Sequence, residues 1–339
     1  MKVLMLCPAL PRSDSPGGMA PTVRQFESLR CAGIDVEIVD LHGPSIIKYA
    51  TVLPKIRRAL AGVDIVHAHY GFCGWLGRLT TIRPSVISFM GSDINGDNNA
   101  QGSPRLATRI EAYSNRLALS RLVSHVIVKS AAMAELLPRS VRESKTSVIA
   151  NGVDTDLFAP SSKNQSRAKL GWSEDETVVL FPSDPERTNK GFELADSAVK
   201  IAGQRLGKSI KLFPMWGIQP EEIPIYMNAA DAMTLASHAE GSPNVVKEAL
   251  ACELPTVATA VGDVPKLFQS LDDFQVVQTR EPAEMGQALA DLLSTPRQVS
   301  ARGGRDRLFE LELSLGDVAG RIIQIYEQLL SRPGTARAQ

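Results

Sequence analysis

Short apolar runs alternate with longer amphipathic stretches from one end of the chain to the other. In the first half the runs cover residues 3–7, 36–39, 65–68, 86–89, 126–128 and 148–149. In the second half they cover 178–181, 210–213, 232–235, 256–259 and 274–277. They are rich in Val and Ile and lack polar alternation, as parallel strands covered on both faces do. Between them lie helical stretches. Residues 23–32 predict one, with Phe26, Leu29 and Arg30 spaced to lay a stripe on the sheet and Gly33 as its stop. Strand–helix repetition of this kind predicts α/β architecture with crossover connections.

The rhythm breaks near residues 151–173. Asn151-Gly152-Val153-Asp154 reads as a turn, and a polar, breaker-rich stretch follows it. A chain of 339 residues also exceeds what one core usually serves. Two Rossmann-like domains are expected, over 1–155 and 156–331, with 332–339 as a tail. Open parallel sheets bind ligands beyond the carboxyl ends of their strands, so two such sheets are expected to face each other across a ligand cleft.

Composition narrows the function. Lys plus Arg and Asp plus Glu are 37 each, which argues against a nucleic-acid binder. The cysteines Cys7, Cys31, Cys73 and Cys252 form no Cys-x-x-Cys pair, which argues against a disulfide scaffold or structural zinc and for a reducing compartment. No apolar run approaches the roughly 20 residues that span a bilayer. The run at the amino end stops at Pro8 and reads as a first strand, not a leader. The expected location is the cytoplasm.

The segment richest in chemistry is residues 237–252, just after an expected strand. Gly241 allows a tight turn, Ser242 reads as an N-cap and Pro243 as the first helical residue. Val245, Val246, Ala249 and Leu250 give the buried face. A helix start of this kind favours an anion such as a diphosphate. Glu240 and Glu248 do not suit phosphate and are better acceptors for sugar hydroxyls. The bland alternative is a capped helix with two solvated glutamates.

This segment resembles the donor-site motif of the retaining nucleotide-sugar glycosyltransferases of family 4, which have the GT-B fold. That motif has two glutamates separated by seven residues, then a strand like Leu254-Pro255-Thr256-Val257-Ala258-Thr259 and a Val-Gly turn, here Val261-Gly262. The similarity extends to Ser15-Pro16-Gly17-Gly18, Val66-His67-Ala68-His69, Gly91-Ser92-Asp93, the Asn151 turn and Tyr226-Met227-Asn228-Ala229-Ala230-Asp231. The resemblance implies that Glu240 contacts the transferred sugar and Glu248 the ribose. Gly241, Ser242, Pro243, Asn244 and Val245 would surround the diphosphate, with Gly17 and Gly18 facing it and Arg12 nearby. It also implies acceptor binding on the first domain, the nucleotide on the second, and a last helix over 318–330 packing back toward the first domain.

Departures from the family pattern bear on mechanism. Fixed cations lower the barrier as a leaving diphosphate gains charge. Lys190 and Arg187 are the candidates, but the family's usual arginine position is Pro185 here. Many members carry a histidine where Met90 stands. Met90 cannot accept a proton, which suits a front-face mechanism in which the donor's own phosphate assists. His69, Met90 and Asp93 are the acceptor-side candidates, with a turn or capping role for Asp93 as the alternative. His67 and His69 point to one face with no third metal ligand in view, and His238 is a further polar neighbour. No cofactor or metal is expected.

The expected activity is transfer from a nucleotide-diphosphate sugar, UDP first and GDP next, to a sugar, lipid-linked or small-molecule acceptor in polysaccharide or glycoconjugate synthesis. The alternatives are a non-catalytic nucleotide-sugar binder of the same fold and a sugar-nucleotide epimerase. The basic run Lys48, Lys55, Arg57 and Arg58 reads as a solvated helix face, with peripheral contact at the inner membrane face as the other option.

Overall fold

Every expected strand is present in the computed structural model, which describes residues 1–11, 19–41, 47–96, 106–294 and 303–332, with the backbone alone at 47–50. Gly17, Gly18 and Arg12 lie outside the described residues, as do the side chain of Lys48 and residues 333–339.

The described chain forms two units. One takes in residues up to 152 together with 315–332, and the other lies within 153–314. In the first unit, β1 (Lys2–Cys7), β2 (Asp35–Asp40), β3 (Ile65–His69), β4 (Ser85–Ser88), β5 (His125–Val128) and β6 (Thr146–Val148) form one sheet. Its order is β2-β1-β3-β4-β5-β6, and every pairing is parallel. In the second unit, β7 (Thr177–Phe181), β8 (Ile210–Pro214), β9 (Ala232–Leu235), β10 (Thr256–Thr259) and β11 (Phe274–Val277) run in the order β11-β10-β9-β7-β8, again all parallel.

Strand periodicity builds the first unit's two cores. Leu4 and Leu6 of β1 face one cluster with Val66, Ala68, Ile87 and Val126. Val3 and Met5 face the other, with Ile65, Val86 and Ile127. The second cluster is completed by the helix Leu315–Leu330, which buries Val318, Ile322, Ile325, Tyr326 and Leu329 at helical spacing. Burial of each such side chain is worth about 1.5–3 kcal/mol, so this terminal helix is part of the first unit's core.

The first helix runs Ala20–Cys31, three residues earlier than its apolar pattern suggests, because Pro21 suits its opening turn. It buries Thr22, Gln25 and Leu29. Arg30 does not join the stripe on the sheet. It is exposed, with its guanidinium over the Phe26 ring, because a guanidinium keeps its hydration while its stem covers apolar surface. In the second unit the Asp231 carboxylate accepts from the Val178 amide at 2.7 Å and from Arg167 at 2.9 Å. That junction fixes where β9 starts beside β7.

Candidate functional site

Four neighbouring strands of the second sheet send loops past their carboxyl ends, and these loops hold one another. After β7 the chain makes a short turn at Thr188–Lys190 and then Gly191, at φ +73°. A Cβ at Gly191 would lie 2.3 Å from the Ala236 carbonyl oxygen, so only glycine lets this loop sit against the end of β9. The His238 amide donates to the Asn189 carbonyl at 3.0 Å. After β10, Gly262 (φ +55°) presses on the turn at Glu240-Gly241, and a Cβ there would lie 2.3 Å from the Gly241 carbonyl oxygen. The backbone approach thus explains the Val-Gly turn in this segment.

Lys190 and Glu240 meet across two of these loops. Lys190 Nζ lies 2.6 Å from Glu240 Oε1, and the side chains are 20% and 17% exposed. Arg187 is exposed on the same turn, its carbonyl accepting from the Lys190 amide.

The helix after β9 runs Asn244–Ala251, and Pro243 is its N-cap without a side-chain bond. Ser242 therefore does not cap it, contrary to the sequence pattern. Its hydroxyl is taken by two other partners instead: it accepts from the buried Lys247 Nζ at 3.1 Å and donates to the half-buried Asp263 carboxylate. Lys247 is fully buried, and burial lowers its pKa to about 8 against the pull of Asp263 and Glu248. Burial raises the pKa of Asp263, with Lys247 opposing it. The helix buries Val246, Lys247, Glu248, Ala249 and Leu250, while Val245 stays half-buried. Glu248 sits in that buried set.

Arg280, just past β11, closes the arrangement. Its guanidinium donates to the Ala236 and Ser237 carbonyls at 2.8 and 2.9 Å and meets His238 Nε2 at 3.1 Å. Burial and the arginine's charge lower the His238 pKa, and because a guanidinium only donates, Nε2 is the acceptor. Sequence reasoning missed Arg280 and the Lys247–Ser242–Asp263 group. Lys247 lies among apolar helix positions, a weak signal of burial. Arg280 carried no signal, because only the strand order brings β11's loop beside β9's.

The first unit's candidates occupy the carboxyl end of its sheet. Asp93 is buried, and its carboxylate accepts from the amides of Gly71, Met90 and Gly91, each at 2.9 Å. Burial raises its pKa to about 6, against the opposing amides. Met90 is half-buried on the turn that Asp93 fastens. Asn115 donates to the Asp93 carbonyl at 2.8 Å and accepts from Trp75 at 2.9 Å. Tyr70, at φ +81°, ends β3 in a strained conformation.

His67 and His69 do share a face, with ring centroids 4.5 Å apart. His67 bonds Tyr326 at 2.5 Å and Ser88 at 2.9 Å, and burial lowers its pKa to about 3. His69 is fully buried, its pKa held well below the usual value by burial and by His67. Its two ring nitrogens have no hydrogen-bond partner. Among the described residues, no three His, Cys, Asp or Glu side chains gather as a metal-ion cluster, and no helix is long and apolar enough to cross a membrane. Lys55, Arg57 and Arg58 are exposed on the helix Ile47–Ala59.

Comparison with known proteins adds two family matches. Residues 6–157 match the model described as Glycosyltransferase Family 4, and residues 189–295 match Glycosyl transferases group 1. The chain is 25% identical over 274 residues to a D-inositol 3-phosphate glycosyltransferase of Segniliparus rotundus, covering 71% of this chain and 60% of that protein. It is similar in structure to sucrose-phosphate synthase from Thermosynechococcus elongatus, with TM-score 0.76, 20% identity, and coverage of 98% of this chain and all of that one. A second similar structure is HepE of Anabaena in complex with UDP-glucose, with TM-score 0.70, 18% identity, and coverage of 98% and 100%. At these identities the structural likeness is one of fold, the two-domain GT-B arrangement.

Proposed function

We propose, from the premise that the chain belongs to glycosyltransferase family 4, that it transfers a sugar from a nucleotide-diphosphate donor to an acceptor hydroxyl with retention at the anomeric carbon. UDP is the favoured nucleotide and GDP the next. The observation that carries this reading is the Lys190–Glu240 pair beside the start of the helix Asn244–Ala251. A cation and a carboxylate held together at a helix N-terminus suit a ligand with a diphosphate at one end and hydroxyls at the other.

In the proposed reaction the bond from the anomeric carbon to the diphosphate oxygen breaks, and that oxygen keeps the electron pair. The acceptor oxygen bonds to the same face of the carbon, and its proton passes to the departing phosphate oxygen. No protein base is needed, in keeping with Met90 on the acceptor side. Lys190 exchanges Glu240 for the leaving diphosphate, whose charge grows in the transition state. Glu240, released from its partner, accepts from a hydroxyl of the transferred sugar. Glu248 accepts from the ribose, and the amides of the helix's first turn hold phosphate. No metal takes part. The acceptor is a sugar, lipid-linked or small-molecule hydroxyl of polysaccharide or glycoconjugate synthesis, bound on the first unit through the turn of Met90 and Asp93 and the His69 end of β3, in the cytoplasm.

A panel of nucleotide sugars with candidate acceptors tests this. The expected result is a glycosylated acceptor of retained configuration, with one nucleoside diphosphate released per transfer and no effect of a chelator. An altered sugar nucleotide without transfer would make it an epimerase. Saturable donor binding without turnover would make it a binder.

A further inference from the structure

The turn through Glu240, Gly241 and Ser242 presses backbone on backbone against the turn through Val261, Gly262 and Asp263. A Cβ on Gly262 would stand 2.3 Å from the Gly241 carbonyl oxygen and 2.8 Å from that of Glu240. The residue after each of these glycines is polar, and the two meet, the Ser242 hydroxyl donating to the Asp263 carboxylate. The same hydroxyl accepts from Lys247 Nζ at 3.1 Å. A lysine of the helix Asn244–Ala251 thus reaches back to the serine that leads into that helix.

Two effects oppose a positive charge there. Lys247 is fully enclosed, and an enclosed ammonium loses its hydration. It is also the fourth residue of its helix. Helical side chains lean toward the amino end, so Nζ lies by the positive end of the helix dipole. The anions of the fold do not make up the difference. Asp263 and Glu248 favour the charged lysine, yet burial outweighs them and its pKa falls to about 8. Asp263 is a poorly satisfied counter-ion as well, for its Oδ1 is buried without a hydrogen-bond partner. A further anion at the helix start would complete the balance.

The direction of the hydroxyl follows from the lysine. While Nζ donates to Ser242, the serine's own proton must point elsewhere. It points to Asp263, and a phosphate oxygen at the helix start is an alternative acceptor of the same kind. Lys190 is a different case, one-fifth exposed and paired with Glu240 on the neighbouring loop.

We infer that Lys247 is a positioning residue for the donor: through Ser242 it aims a hydroxyl proton at the diphosphate and sets an enclosed positive charge behind it, and phosphate displaces Asp263 as the partner of that hydroxyl. The inference rests on the reading that a nucleotide diphosphate binds at this helix start, and it adds a residue that acts without touching the donor.

Calorimetry on the full chain tests it, with UDP as one ligand and uridine, which lacks the phosphates, as the other. Lys247→Met should weaken UDP about tenfold, the worth of one hydrogen bond to a charged group, and leave uridine unchanged. Ser242→Ala should weaken UDP as much. The double variant should be no weaker than either alone, because the two residues act in series. Asp263→Asn should act the other way and tighten UDP about threefold, since a negative charge that competes with phosphate is gone. Were the three residues only holding the shape of the turn, Lys247→Met and Asp263→Asn would both weaken UDP, and uridine with it. The sign of the Asp263→Asn effect decides the matter even where Lys247→Met fails to fold. Unchanged UDP affinity in Lys247→Met, losses that multiply in the double variant, or weaker UDP in Asp263→Asn would overturn the inference and leave the transferase reading intact. A wild-type chain that binds neither UDP nor GDP would overturn both.

Discussion

The carboxyl ends of the two sheets spend their polar residues differently. In the first unit Asp93 and His67 are fully enclosed and bonded to the fold itself, Asp93 to three amides and His67 to Tyr326 and Ser88. In the second unit Lys190 and Glu240 pair only with each other at the surface, about one-fifth exposed. A second group stands close by in sequence, where the buried Lys247 donates to Ser242 and Ser242 to the half-buried Asp263. Polar groups bonded to the backbone hold a shape, whereas groups bonded to one another across two loops can exchange that partner for a ligand.

The contrast breaks most visibly at Asp93. Asp93→Ala would strand three amides, two of them buried, and should lower stability by about 3 kcal/mol or more. Urea unfolding measures it, and a loss below about 1 kcal/mol would remove Asp93's structural role. Lys190→Ala should do the opposite. A partly exposed pair contributes about 1 kcal/mol or less to stability, while turnover should fall about a hundredfold, since the charge it meets grows in the transition state. Wild-type turnover would take Lys190 out of the mechanism.

Gly262→Ala sharpens the point on the second unit. The added Cβ would drive into the Gly241 carbonyl, displacing the Glu240-Gly241 turn, and UDP affinity should weaken about tenfold, of the order of one such steric clash. Titration calorimetry reads it, and unchanged affinity would mean the turn does not bind nucleotide.

The acid response of the first unit separates the two units as well. His67 has a folded pKa of about 3, below its ordinary 6.5. Its contribution is thus present above pH 6.5 and lost as pH falls from there toward 3, at about 1.4 kcal/mol per pH unit. His69 and His125 are depressed too. Asp93, raised to about 6, acts with the opposite sign, its contribution lost as pH rises through 6, but it is one group against three. Stability should fall between pH 6.5 and 4, and less steeply in His67→Asn. A flat profile in the wild type would contradict the burial of these rings.

Much of this was legible beforehand. The eleven strands were readable because parallel strands covered on both faces are uninterrupted apolar runs, and each run maps to one strand. The strand–turn–helix geometry of residues 237–252 was readable because Gly241, Pro243 and two glutamates lie within one such unit, where spacing alone fixes their neighbourhood. Residues whose meaning depends on strand order were not. Arg280 reaches Ala236 from 44 positions away, and Tyr326 reaches His67 from 259 away. Ser242 misled because its hydroxyl has partners from other turns of the chain, Lys247 and Asp263, which outcompete the local cap. Arg30 misled because spacing marks a helix face but not whether a cation will stay on it.

The most direct test of the central claim is a crystal structure of the full chain with UDP bound. The account predicts the diphosphate against the first turn of Asn244–Ala251, with Lys190 Nζ on a phosphate oxygen instead of on Glu240, and Glu248 on the ribose. Clear density for UDP anywhere else, with the Lys190–Glu240 pair still closed, would contradict it.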